Sequence, residues 1–275
     1  MSRMGIQAAT TMRELQNKLD LIGHNVANAN TTGYKTQMAN FSSLLYQNID
    51  NFSDEEANSV GRVTPLGIRQ GAGAKVGHAN NNFTQGALIN TERPLDLALT
   101  EDRQFFEVAV TENGETETRF TRDGSFYLQP TQTGDSALVT SNGHAILNQF
   151  GEAIVINQGF DDVALDASGQ VVVRRDGITN SEATISVVEA IRPQFLEQTG
   201  QNLFRLPDVT ETDFEAGDII GQVADVNVAV GRLEGSNVEL STQMTELIQT
   251  QRAYQFNART ISMHDQMRGL INQMR

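Results

Sequence analysis

Two rows of apolar residues, one at each end of the chain, limit what it can fold into. Near the start, Ala8, Met12, Leu15, Leu19, Ile22 and Val26 step by four, three, four, three and four. Near the end, Leu240, Met244, Leu247, Tyr254, Ala258 and Ile261 keep the same alternation, with Gln251 as the one polar member of the row. A 3.5-residue period places every member on one seam of a helix packed against another helix. The pattern predicts a first helix over residues 4–26, about 35 Å long at the standard rise. It predicts a last helix starting near Ser236, with Ser236 or Asn237 as cap and Glu239 three residues on in a capping-box arrangement. That helix runs to about Gln273, on the order of 55 Å. Its far end carries a second stripe on a different side: Phe256, Met263, Met267, Leu270 and Met274. Two stripes imply two neighbours, the chain's own first helix and a different subunit.

Between the ends the period changes to two. Leu95, Leu97 and Leu99 alternate with Asp96 and Ala98, and Phe105, Phe106, Val108 and Val110 follow. Turn signals recur: Asp123-Gly124 between Phe120 and Phe126, Asn142-Gly143 between Leu138 and Leu147, and Asp166 to Gly169 between Val163 and Val173. Each reads as a hairpin, and their regular spacing predicts an antiparallel sandwich or barrel-like body. Ile154–Ile156, Ile185–Ile191 and Val223–Val230 read as further strands, and 193–218 as loop-rich. After the first helix, Asn25-Val-Ala-Asn28-Ala-Asn30-Thr-Thr-Gly33-Tyr34-Lys35 reads as a turn, with Gly33 at a positive-φ position. Residues 51–62, with Asp54-Glu55-Glu56, read as a polar loop. The glycine-rich Gln70–Lys75 lacks the spacing of a phosphate loop and reads as a bend or close approach. The expectation is an α+β protein. Its N- and C-terminal long helices (1–37 and 233–275) pair as a coiled-coil-like assembly domain. An extended segment (38–75) links them to a central antiparallel all-β domain (76–232).

Charge narrows the function. The net charge is −14, and residues 38–232 hold twelve basic against twenty-eight acidic side chains, while the two ends are close to balanced. An acidic body argues against nucleic acid, whose phosphates need a basic face. The chain has no cysteine, so disulfides and thiolate chemistry are excluded. No stretch reaches the eighteen apolar residues of a membrane span, and no signal peptide is visible. His24, His78, His144 and His264 lack metal-ligand spacing, and Asp161-Asp162 reads as solvated charge. No catalytic, cofactor-binding or metal-binding residue is expected.

The motifs now quoted resemble a known family. Asn25–Lys35 is similar to the signature that follows the first helix in bacterial flagellar rod and hook proteins. Leu233-Glu-Gly-Ser236-Asn237-Val238-Glu-Leu and Gln251-Arg252-Ala-Tyr254-Gln-Phe-Asn257 resemble its C-terminal signature. Thr121–Phe126 and Gly200–Phe204 also match. Phe41–Gln47 and Gly67–Gly73 resemble the distal-rod type, and within it the accessory hook-basal body rod proteins of Gram-positive bacteria. One departure stands at Glu101–Phe106, where the usual glycines before the aromatic pair are missing, so that turn must be built differently. The resemblance implies a non-catalytic structural subunit of the flagellar rod, needed for motility as part of the drive shaft between motor and hook. It implies export through the flagellar type III apparatus across the cytoplasmic membrane without a cleaved signal peptide. It also implies helical assembly with itself and with other rod and hook subunits, without membrane insertion. The assembly interface would comprise Met12, Leu15, Leu19, Ile22, Val26, Leu240, Met244, Leu247, Tyr254, Ala258, Ile261, Met263, Met267 and Leu270. Asn28, Asn30, Gly33 and Tyr34 would form the signature turn. A hook or proximal-rod subunit shares both signatures, and a secreted β-domain adhesin on a helical stalk is the more distant alternative.

Overall fold

The computed structural model describes residues 3–43, 46–50, 67–71, 74–112, 114–132, 134–200, 202–207, 215–223 and 225–274. The expected polar loop at 51–62, Leu44-Leu45 of the distal-rod motif, and Ala72-Gly73 of the glycine-rich stretch lie outside them. The chain divides into two units. One comprises Met1–Val26, Gln37–Asn80 and Leu240–Arg275; the other comprises Ala27–Thr36 and Asn81–Glu239.

The first unit is built on the two long helices, Arg3–Ala27 and Leu240–Gln273. Its strands make two two-stranded ribbons, Gln37–Ser43 beside Ala74–Asn81, and Tyr46–Asp50 antiparallel to Gly67–Gly71. The last helix starts at Leu240, four residues later than its capping motif predicts. The Ser236 hydroxyl accepts the Val238 N–H at 3.3 Å, and the Asn237 amide is committed elsewhere, so neither caps the helix.

The second unit is an antiparallel β body. Its spine is Gln104–Glu112 paired with Glu115–Thr121, with Phe106 opposite Thr121. Leu203–Arg205 adds to one side, and Val187–Ala190 and Ala145–Ile146 to the other. A second sheet of three strands runs Asp162–Leu165, Gln170–Arg175, Ile178–Thr184. Side chains alternate across a strand, so the adjacent Phe105 and Phe106 enter two different cores. Phe106 packs with Leu97, Val108, Phe126 and Ile146, its ring 5.1 Å from that of Phe126 at a steep angle. Phe105 joins Phe83 and Phe204 in an aromatic trio with centroids 5.6 Å apart.

Two of the expected hairpins form. Val139 pairs Ala145 across Asn142-Gly143, and Leu165 pairs Val171 across Asp166–Gly169. A further hairpin turns at Asp176-Gly177, where both residues have positive φ. The third expected hairpin does not exist. Strand Glu115–Thr121 and strand Phe126–Pro130 have different partners. Gly124 serves close approach instead: a Cβ there would lie 1.7 Å from Leu97 O. Among the described residues of the Val223–Val230 stretch, the strand is Val228–Val230, which pairs with Leu97–Leu99.

Burial decides which aromatic matters to stability. Phe106→Ala, at 0% exposure, should cost about 3–5 kcal/mol. Phe150→Ser, at 87% exposure, should stay within about 0.5 kcal/mol. Denaturant unfolding followed by β circular dichroism measures both; equal costs would refute the core assignment.

Candidate functional site

The motifs that are distant in sequence meet inside the β body. Residues 28–36 form a turn-rich segment. Thr31 N–H donates to Asn28 O, and Thr31 Oγ1 to Asn28 Oδ1, both at 3.1 Å, while Asn30 is exposed. Gly33 has φ +68°, and its N–H donates to Glu234 O at 2.8 Å. A Cβ on Gly33 would stand 2.7 Å from Arg122 C and Asp123 N. Glycine is therefore required twice, for the left-handed backbone and for the close approach. On either side, Thr32 Oγ1 donates to Asp123 Oδ1 at 3.0 Å, and Asn202 Nδ2 donates to Thr32 O at 2.8 Å. Tyr34 is buried, which pushes its hydroxyl above the ordinary tyrosine pKa.

Asn237 clamps the end of this segment. Its Oδ1 accepts Thr36 N–H and Thr36 Oγ1, both at 2.7 Å. Its Nδ2 donates to Asn82 O at 2.8 Å and Thr84 O at 3.0 Å. An asparagine amide offers an acceptor and two donors at one end, so one side chain can tie three backbone stretches together.

The centre is an ion triad. The Glu234 carboxylate accepts Lys35 Nζ at 2.6 Å and Gly86 N–H at 2.8 Å on Oε1, and Arg122 Nε at 2.7 Å on Oε2. All three ionic side chains are at most 1% exposed. Lys35 Nζ also donates to Thr84 O at 2.7 Å. Arg122 Nη1 donates to the carbonyls of Glu101, Asp102 and Gln104, and its Cζ stands 6.0 Å from the Phe105 ring centroid. Those three carbonyls belong to the turn that lacks glycines: an arginine pins it instead. Two cations face one carboxylate. Burial first, and then the Arg122 cation, hold the Lys35 ammonium below the usual lysine range, against the pull of Glu234. The arrangement is structural chemistry: the three charges join segments that are distant in the chain, and the buried Nη2 of Arg122 is the one guanidinium nitrogen left without a hydrogen-bond partner.

The helical seam lies in the first unit. Ile22 is buried, and Met12, Leu15, Leu19 and Val26 are half-buried. On the last helix Leu247, Tyr254, Ala258 and Ile261 are half-buried, while Leu240 and Met244 are exposed in the single chain. Its fully buried residues are Gln243 and Thr250. Asn25 Nδ2 donates to Gln243 Oε1 at 3.0 Å, and Lys18 pairs with Glu246 at 3.4 Å. The two contacts run in opposite order along the helices, so the pairing is antiparallel. Met263, Met267 and Leu270 of the second stripe are exposed.

Sequence reasoning quoted Asn25, Lys35, Arg122 and Glu234 only as letters of motifs, and offered Asn237 as a helix cap, which it is not. The available signal was charge: a lysine, an arginine and a glutamate each stood inside a quoted motif.

This convergence of two terminal signatures on one β body defines a class, and the comparisons agree. Three family models match: flagella basal body rod protein over residues 7–35, flagellar hook protein FlgE/F/G D1 domain over 101–173, and flagellar basal body rod FlgEFG protein C-terminal over 229–274. The flagellar hook-basal body complex protein FlhP of Bacillus subtilis is 36% identical over the full length of both chains. The flagellar basal-body rod protein FlgG of Caulobacter vibrioides is 32% identical over 98% of this chain and 97% of its own. FlgG of Bacillus subtilis is 32% identical over 95% of each. The chain belongs to the flagellar rod and hook family and is a structural subunit of the flagellar basal body.

The triad predicts an asymmetry. Glu234→Gln leaves two buried cations without an anion and should cost about 3–5 kcal/mol. Lys35→Met removes a charge that burial already disfavours, leaves Glu234 held by Arg122 and Gly86, and should cost clearly less. A folded-state lysine pKa below the unfolded value means the unfolded chain binds more protons in the alkaline range below 10.5. Wild type should therefore gain stability relative to Lys35→Met as the pH rises through that range. Denaturant titrations at a series of pH values check both the ranking and the sign.

Proposed function

We propose that this chain polymerises helically as part of the rod, the drive shaft between motor and hook, and that cells need it to swim. In this reading the terminal stretches 1–37 and 233–275 serve assembly. The segment 38–75 joins them to a body spanning 76–232, and the subunit catalyses nothing. Its partners are copies of itself and other rod and hook subunits. It reaches them through the flagellar type III export apparatus, without a cleaved signal peptide.

One observation carries the reading. The last helix leaves large apolar side chains in water when the chain is alone: Phe256 is 70% exposed, Met267 55% and Leu270 62%. A hollow of about 400 Å3 opens beside them, bordered by Ile261, Met263, His264, Met267 and Leu270. A contiguous exposed apolar face is a contact surface for another chain. Methionine, flexible and polarizable, adapts to more than one neighbour. A contact between unlike faces propagates into a helix when its rotation does not close a ring. The seam Met12, Leu15, Leu19, Ile22 and Val26 with Leu247, Tyr254, Ala258 and Ile261 would hold the helices of one subunit. Leu240, Met244, Met263, Met267 and Leu270 would meet the next.

Charge placed on each stripe separates the two roles. Leu247→Asp places an unpaired carboxylate in the half-buried seam, and Met267→Asp places one on the exposed stripe. Both variants should keep the β circular dichroism and melting of the body, and both should leave cells making only that variant non-motile. Normal swimming with Met267→Asp would remove the second stripe from the interface.

A further inference from the structure

All eight methionines of the chain fall in the first unit, four of them in Leu240–Arg275, and the β body has none. The chain has no cysteine, so these thioethers are its only sulfur. Sulfur is the side-chain atom that peroxides oxidise most readily, and exposure sets which sulfur reacts. The surroundings of the methionines differ. Met12 is half-buried in the helical seam. Met263 and Met267 are 53% and 55% exposed. They stand one turn apart on the last helix, where residues four apart share a face. Both border the hollow of about 400 Å3, beside Ile261 and Leu270. A peroxide is little larger than a water molecule, so a hollow of that size admits it to both sulfurs.

We propose that Met263 and Met267 form an oxidation site that controls whether the last helix can join another subunit. A peroxide supplies the oxygen. The sulfur lone pair attacks one peroxide oxygen and the O–O bond breaks. The sulfur-bound oxygen gives its proton to the departing hydroxide, which leaves as water. Each sulfur loses two electrons, and the peroxide gains them. The product is a sulfoxide, polar where the thioether was apolar. Its oxygen is an acceptor, and an apolar contact offers it no donor. Two sulfoxides one turn apart therefore interrupt the apolar stripe between Ile261 and Leu270. A methionine sulfoxide reductase restores the thioether, so the change is reversible. The consequence for assembly rests on the reading of this stripe as a contact between subunits; the reactivity of the two sulfurs does not.

Hydrogen peroxide added to the purified full-length chain tests the site, with oxygen uptake at each methionine followed by peptide mass spectrometry. Met263 and Met267 should oxidise about threefold or more faster than Met12. In isolated basal bodies the same two should oxidise about tenfold more slowly than in the free chain, because a covered thioether is shielded. Met263→Gln and Met267→Gln together test the consequence, by placing a polar side chain where each sulfoxide would stand. Cells making only that double variant should not swim, while the β circular dichroism and melting of the body stay as in wild type. Rates no faster than that of Met12 in the free chain would overturn the inference and leave the assembly reading intact. Normal swimming of the double variant would also overturn it, with Met267→Asp still deciding the assembly reading. Equal rates in the free chain and in basal bodies would remove the stripe from the interface, and the inference with it.

Discussion

The Glu234 carboxylate is the contact on which the second unit depends for its closure. It arrives late in the chain and answers two cations placed much earlier, Lys35 and Arg122. Each cation is buried, and each would be costly without it. Arg122 in turn holds three carbonyls of the turn before the Phe105-Phe106 pair. One acidic side chain thus couples the N-terminal turn, that loop and the C-terminal segment. Removing any one charge of such a network strands its partner in a site without water, although Nη2 of Arg122 already lacks a hydrogen-bond partner there.

Around the triad the same logic is repeated with neutral groups. Gly33, Thr32, Asn202 and Asn237 tie backbone to backbone through short polar bonds. These residues offer little apolar area, so they contribute little through burial. What they contribute is direction. Hydrogen bonds fix angle and register where packing alone leaves freedom. In the first unit a buried bond of the same kind, Asn25 Nδ2 to Gln243 Oε1, joins the two long helices. Both units therefore combine buried apolar residues with buried polar bonds between segments distant in the chain.

The β body and the last helix treat their apolar side chains differently. The β body buries its own in two cores, one on each side of the Phe105-Phe106 step. The last helix leaves large apolar side chains exposed in the single chain, Phe256 at 70% and Leu270 at 62%. The division follows from periodicity. Strand alternation closes a body upon itself, whereas a long helix with two apolar stripes cannot bury both on a single partner.

The sequence by itself determined the elements. A 3.5-residue period required two long helices, and they run Arg3–Ala27 and Leu240–Gln273. Period-two alternation and turn residues required an antiparallel body, and Gly33 had to take a positive φ. These features are local, since each is set by residues within a few positions of one another. Only the tertiary structure decided what meets what. Asp123-Gly124 has the composition of a hairpin turn, yet it serves the close approach of Leu97, because strand partners are chosen by burial at long range. Ser236 and Asn237 have the composition of a helix cap, yet Asn237 is taken by Thr36, Asn82 and Thr84. Glu234, Lys35 and Arg122 are ordinary charged letters until folding removes water from all three. Their partnership depends on that desolvation, which no spacing along the chain encodes.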